Sequence, residues 1–275
     1  MDLPLHPWNQ GFAWTDRTGP GRRLSSEELA HFDREGYVVV PDLVEPEGLA
    51  ALTADLDVLE AEVDAFLRTR DDGRFSIAET GALTVAIHAV GRSEAARAIS
   101  RHPAIVDLCA DLIGPDVRLY WDQAVYKKTE KPRRVPWHQD NGYTFVEPQA
   151  YLTVWLALTD ATEENGCPEV APGCHRHGTL AHRYVDPLGW ECLPEGTPSV
   201  AAPVRAGGAV VFSSLTPHRT GPNLTDAVRK AYILQYCPSD AAILEGDPAH
   251  GAPSGRVPCT AEGRQYEVLR GGRAA

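Results

Sequence analysis

Four consecutive residues, Trp137-His138-Gln139-Asp140, carry a histidine and an aspartate two positions apart, and Pro217-His218 lies far downstream with Arg229 eleven residues beyond His218. On an extended segment side chains alternate with period two, so His138 and Asp140 project to one face. Two imidazoles and one carboxylate cover one face of an octahedral metal and leave the other open, the arrangement of non-haem Fe(II) oxygenases. Arg229 adds a planar fork suited to gripping a carboxylate at two points. The combination predicts an oxygenase with Fe(II) as metal and 2-oxoglutarate as co-substrate.

Composition narrows the alternatives. The 275 residues suit one large domain or two small ones, with ample capacity for a core. No apolar run approaches the roughly 18–20 residues of a membrane span, and Met1–Gln10 lacks the basic-then-apolar pattern of a secretory signal. A net charge of -12 argues against nucleic acid or an anionic membrane as partner. Lys127, Lys128, Lys131, Arg133 and Arg134 form a local basic cluster relieved by Glu130. It reads either as a solvated loop or as an electropositive lip that draws in anions. The six cysteines show no C-x-x-C spacing, so they are expected to be reduced thiols in a cytoplasmic protein.

The positioning elements are partly legible. Ser25-Ser26-Glu27-Glu28 has the capping-box pattern and predicts a helix that turns Leu29 and Phe32 inward and stops at Gly36. Tyr37 to Val40 reads as a strand. Pro46 opens a second helix whose stripe of Leu49, Leu52, Leu56, Leu59, Val63 and Phe66 should pack on a sheet. A further helical region, Ser93 to Ile113, is interrupted at His102-Pro103 and closed by Gly114-Pro115. Beyond it come short β-rich runs, Val117 to Tyr126, Tyr151 to Leu158, Ala209 to Phe212 and Ala231 to Tyr236, separated by turn residues. The expectation is one mainly β domain over 1–275, with a helical buttress at about 24–114, a barrel or sandwich core at about 117–238 and a C-terminal extension at 239–275. His182 to Ser199 reads as a long irregular insertion of the kind that forms lids.

Several motifs in order make the pattern more specific: Trp137-His138-Gln139-Asp140, Val154-Trp155-Leu156-Ala157-Leu158 and Glu164-Asn165-Gly166-Cys167. Ala171-Pro172-Gly173-Cys174-His175, Gly208 to Phe212 and His218-Arg219-Thr220-Gly221-Pro222-Asn223 follow, running to Arg229. With these, the chain resembles the phytanoyl-CoA dioxygenase family of Fe(II)/2-oxoglutarate oxygenases from about Leu24 to Pro238, with cysteine at Cys174 where the family has serine. The resemblance implies a double-stranded β-helix, the cupin-like jelly roll. It implies His138, Asp140 and His218 as iron ligands and Arg229 as the residue for the far carboxylate of 2-oxoglutarate. Thr220 is expected on the same strand face as His218. Gln123 and Trp155 fall where the family contacts the co-substrate, and Lys127, which aligns with a recurrent lysine, joins them as a candidate co-substrate residue. Surface placement is the alternative for each of these three.

Among the remaining polar residues, His175 and His177 mimic a metal pair, but the resemblance implies that His175 falls in a turn after a strand, and Arg219 should face away from the ligands. Tyr143 and Phe145 are candidates for an apolar substrate mouth or for core packing. The implied activity is hydroxylation of a small organic molecule with release of succinate and CO₂, since related halogenases lack the carboxylate that Asp140 supplies. Desaturation, cyclisation and epimerisation begin with the same hydrogen abstraction. The alternatives are an acyl-CoA or carrier-bound acyl hydroxylase, a non-oxidative metal-dependent cupin, and a ligand-binding sensor.

Overall fold

The computed structural model describes residues 3–275; of the segment Met1–Gln10, the first two residues lie outside it. Helix α1 (Ser26–Glu35) is capped as its sequence dictates. Ser25 accepts from the Glu28 amide, the Glu28 carboxylate accepts from the Ser25 amide, and Leu29 and Phe32 are buried. Gly36 ends the helix at φ 88°, and a Cβ there would stand 2.5 Å from Thr216 Oγ1. That close approach lets Thr216 donate to the Gly36 carbonyl and fixes the segment leading to His218.

Helix α2 (Pro46–Arg68) buries Leu52, Leu56 and Leu59 over the sheet, each worth roughly 1.5–3 kcal/mol. Its stripe ends differently from the expectation: Phe66 is 47% exposed and Leu67 is the buried residue of the last turn. Over twenty-three residues a helix at 3.6 residues per turn drifts from a strict three-and-four pattern. Helices α3 (Glu94–Ile99) and α4 (Pro103–Leu112) are separated at His102-Pro103, and Ser93 caps α3.

The β core is two antiparallel sheets packed as a jelly roll. A ten-stranded sheet has the central order Tyr37–Val40, Ala209–Ser213, Leu152–Ala157, Arg229–Pro238, Val117–Lys127, Leu83–Ile87. A four-stranded sheet orders Val200–Ala201, Pro168–Val170, His218–Thr220, Val135–His138. The extension after 238 joins this framework: Glu267–Arg270 pairs with the Val117–Lys127 strand, and Ala242–Glu245 pairs with Val146–Glu147.

Both faces of the large sheet are covered, so its strands read as nearly continuous apolar runs. Lys230, Tyr232, Leu234 and Tyr236 turn toward the helices, whereas Arg229, Ala231, Ile233 and Gln235 turn between the sheets. Leu152, Val154 and Leu156 likewise join the helix-side core, leaving Thr153, Trp155 and Ala157 inside the sandwich. The 182–199 segment is not irregular throughout: Arg183–Val185 and Gly189–Glu191 form a hairpin that sets Tyr184 edge-to-face against Trp190. Trp190, Tyr184 and Val185 are strand formers whose signal is interrupted by Pro187.

Behind the large sheet, Asp122 is fully buried, accepting from the Val90 amide and the Tyr232 hydroxyl while its Oδ1 has no partner among the described residues. Burial raises its carboxyl to about 6. A carboxyl raised in the folded state contributes stability that is complete below its unfolded value and is lost as pH rises through about 6. Asp122→Asn keeps both acceptor bonds and removes this titration. In denaturant unfolding, the variant's stability relative to wild type should climb between pH 4 and 7; a pH-independent difference would contradict the account.

Candidate active site

Strand register brings the two distant histidines together. His218 is the direct cross-strand partner of His138, and their ring centroids are 4.1 Å apart. Asp140 lies two residues beyond the end of its strand, in a 3₁₀ turn Asp140–Gly142, so the expected extended pair holds only as far as Gln139. One ligand atom from each of His138, Asp140 and His218 lies within 4.8 Å of the others.

The surroundings fix which atoms face inward. His138 Nδ1 is 2.8 Å from the Pro136 carbonyl and His218 Nδ1 is 3.0 Å from the Thr216 carbonyl. A carbonyl only accepts, so both Nδ1 atoms carry the proton and both Nε2 lone pairs are free to ligate. Burial, with His218 next, holds His138 well below its usual value and therefore neutral. Thr153 donates to Asp140 Oδ2 at 2.5 Å, leaving Oδ1 turned toward His218 Nε2 at 3.8 Å. Three donors of this chemistry, with oriented lone pairs, fit a divalent iron.

Gln139, between two of them, points the opposite way and is buried. Its side chain donates to the carbonyls of Gly178 and Leu215 and accepts from the Leu180 amide. The Gln139 amide in turn donates to His182 Nε2, 3.0 Å away, which acts as acceptor because burial lowers His182 to about 4. Gly142 is needed here for a different reason from Gly36: a Cβ would meet the His182 ring at 2.0 Å. Thr153, Gln139 and His182 all support the ligands, and none carries a spacing signal that single-sequence reading can detect.

The cavity between the sheets has a volume of about 270 Å³ and is lined by His138, Asp140, His218, Thr220, Arg229, Gln123 and Trp155 together with many apolar side chains. Arg229 is 1% exposed, its Nε and Nη1 have no partner among the described residues, and its Cζ lies 4.9 Å from the centre of the Trp155 ring. Desolvation depresses the guanidinium to about 10. Thr220 Oγ1 is equally buried and unpartnered among the described residues. A buried cation and a buried hydroxyl, both without partners and facing one cavity, fit the carboxylate of an oxoacid.

Lys127 departs from the expectation. Its ammonium is buried and donates to the carbonyls of Arg133 and Thr220, at 3.1 and 3.3 Å, and to that of Gly221, so it ties strands together and is not among the cavity-lining residues. Burial, together with nearby Arg229, pulls it well below the ordinary lysine value. The electropositive lip is also absent. Lys128 pairs with Glu60, Lys131 and Arg133 with Glu79, and Arg134 with Glu191 and Glu195.

The other expectations divide. Tyr143 lines the cavity, while Phe145 packs in the core against His6 and Trp8. Arg219 faces away, paired with Glu169 at 2.8 Å and lying over Trp137. His175 is buried with its Nε2 on the Asp33 carbonyl, and His177 is exposed, so the two form no metal pair. His88 packs on Trp121 and His102 on Glu45, and neither histidine lines the cavity.

Comparison with known proteins agrees with this geometry. The family described as phytanoyl-CoA dioxygenase (PhyH) matches residues 32–231. The chain is 26% identical over 271 residues to phytanoyl-CoA dioxygenase domain-containing protein 1 of Danio rerio, covering 80% of this chain and 92% of that one. It is 27% identical over 247 residues to the ectoine dioxygenase of Nocardia farcinica, covering 81% and 80%. Among solved structures it is similar to SnoN, a non-haem alpha-ketoglutarate-dependent epimerase from nogalamycin biosynthesis. That match has a TM-score of 0.63 and 25% identity and covers 86% of this chain and 95% of that one. The chain belongs to the phytanoyl-CoA dioxygenase family and is an Fe(II)/2-oxoglutarate-dependent oxygenase.

Proposed function

We propose that His138, Asp140 and His218 hold the iron, that Arg229 and Thr220 bind the far carboxylate of 2-oxoglutarate, and that the reaction is hydroxylation of a small organic molecule. The observation that carries this reading is the buried Arg229 guanidinium, which has two nitrogens without partners among the described residues in the same cavity as the metal-binding triad. When bound, Fe(II) with 2-oxoglutarate and O₂ supplies the oxidising power: one oxygen atom enters the substrate C–H bond and the other enters succinate, with CO₂ released.

The chain's own residues provide orientation and dryness. The Trp155 ring beneath Arg229 and Ile233 beside it exclude water from the co-substrate end, which strengthens the charged hydrogen bonds formed there. Gln123 accepts from Trp121 Nε1 at 3.1 Å, which aims its amide NH₂ into the cavity and gives it a supporting role in binding the oxoacid. The neutralised mouth favours a free small molecule over an acyl-CoA, whose phosphates would want unpaired cations. The relationship to an enzyme of nogalamycin biosynthesis supports a place in secondary-metabolite tailoring.

The whole chain 1–275 is read as one catalytic domain, since Glu267–Arg270 completes the large sheet. A cytoplasmic location, with neither nucleic acid nor membrane as partner, completes the proposal. It is supported by the six free cysteines and the net charge of -12. Among the described residues no helix is long and apolar enough to cross a membrane.

Uncoupled turnover tests the assignment. Protein supplied with Fe(II), ascorbate, O₂ and 2-oxoglutarate should release succinate slowly, and His218→Ala should abolish that release. Arg229→Gln should raise the 2-oxoglutarate requirement roughly 10- to 100-fold. Succinate release that survives His218→Ala would refute the assignment, and 2-oxoglutarate binding with no succinate in wild type would favour a sensor. The Thr153 tether predicts a second effect: Thr153→Val should weaken Mn(II) binding about tenfold by freeing Asp140. An unchanged affinity in a spin-resonance titration would show that the tether is dispensable.

A further inference from the structure

Residues along the Arg229–Pro238 strand rise through the cavity in rungs roughly 6.8 Å apart. Arg229 is cross-strand partner to Lys127 at the floor. Ile233 stands between Gln123 and Trp155 in the middle, and Gln235 stands between Trp121 and Thr153 at the top. Thr153 is the residue that donates to Asp140, so Gln235 sits beside the metal-binding level and away from the co-substrate floor.

Gln235 is 7% exposed and lines the cavity, yet its side-chain amide makes no hydrogen bond to any described residue. The strand is disturbed at this point. Gln235 pairs with Trp121 but Tyr236 pairs with Leu119, so Tyr120 is skipped. In a regular strand Tyr120 and Trp121 would face opposite sides; the bulge lets both line the cavity, a device that recurs beside active sites. With Tyr143 they make an aromatic wall around one unpartnered amide.

The charge inventory is equally specific. Apart from the two candidate ligand histidines, only Asp140 and Arg229 among the cavity-lining residues are acidic or basic. On the proposed function, on which this inference rests, the first is occupied by iron and the second by 2-oxoglutarate. No cation remains for a substrate carboxylate or phosphate.

We infer that Gln235 is a specificity-determining residue that hydrogen-bonds the substrate, and that the substrate is an uncharged, ring-bearing molecule presenting a carbonyl or hydroxyl group to it. Aromatic walls bind a flat ring by area and stacking, and the amide fixes its orientation against the open face of the metal. A buried amide left without a partner also rejects molecules of the same shape that lack the polar group.

The test uses the full-length protein loaded with Mn(II) and 2-oxoglutarate, with three bicyclic probes of similar size: 1-tetralone, tetralin and 1-naphthoate. Calorimetry should show 1-tetralone binding about tenfold more tightly than either of the others. In Gln235→Leu its advantage over tetralin should vanish. The inference is overturned if naphthoate binds as well as tetralone, if tetralone fails to bind, or if its advantage over tetralin survives in the variant. Each sample is first titrated with 2-oxoglutarate. Failure at that step defeats the oxygenase reading as well, whereas normal 2-oxoglutarate binding with the wrong probe order defeats only the role given to Gln235.

Discussion

A guanidinium sealed between two sheets, with no anion among the described residues to meet it, is the constraint around which this structure is arranged. Removing a cation from water without a counter-charge costs several kcal/mol, and proteins rarely tolerate it without a function. Arg229 is held there by its place in the central strand of the large sheet, with Trp155 beneath its plane and Lys127 as its cross-strand neighbour. Lys127 spends its own hydrogen bonds on backbone carbonyls, so it adds positive potential without competing for the ligand. The same desolvation that makes Arg229 costly makes a dicarboxylate bound to it strongly held.

Everything above that floor follows from sheet register. Pairing His218 with His138 sets two candidate ligands side by side, and the tight turn after Gln139 swings Asp140 in as a third. The backbone carbonyls of Pro136 and Thr216 choose the tautomers, and Thr153 chooses the carboxylate oxygen. The helical buttress acts on the site at a distance. Gly36 at the end of α1 receives Thr216, two residues before His218, while α2 covers the outer face of the sheet whose inner face lines the cavity. Stability and function thus share the same strands, with alternate residues assigned to each.

Much of this was legible in the sequence because it depends on local rules. Ser25 and Glu28 announce a capping box and Pro46 a helix start, and the types and order of His138, Asp140, His218 and Arg229 single out four residues that the fold brings to one cavity. What escaped notice depends on tertiary partners. The basic cluster read as a candidate lip because Glu60, Glu79 and Glu191, which neutralise it, lie far away in sequence. Lys127 looked like a co-substrate residue until the carbonyls around it were placed. Gln139, Thr153 and His182 gave no signal, since an ordinary glutamine, threonine or histidine becomes significant only through the atoms it meets. Gln235 is the extreme case: its importance lies in the partner it lacks and in a bulge that no residue pattern marks.

The account's central claim is that Arg229 exists to receive the far carboxylate of the co-substrate. It is tested most directly by comparing 2-oxoglutarate with 2-oxobutyrate, which keeps the metal-chelating end and lacks that carboxylate, in calorimetric titrations of Mn(II)-loaded wild type and Arg229→Met. The account predicts that wild type prefers 2-oxoglutarate by about 100-fold and that the variant binds the two acids almost equally. Equal binding of the two acids by wild type, or an undiminished preference in Arg229→Met, would contradict it.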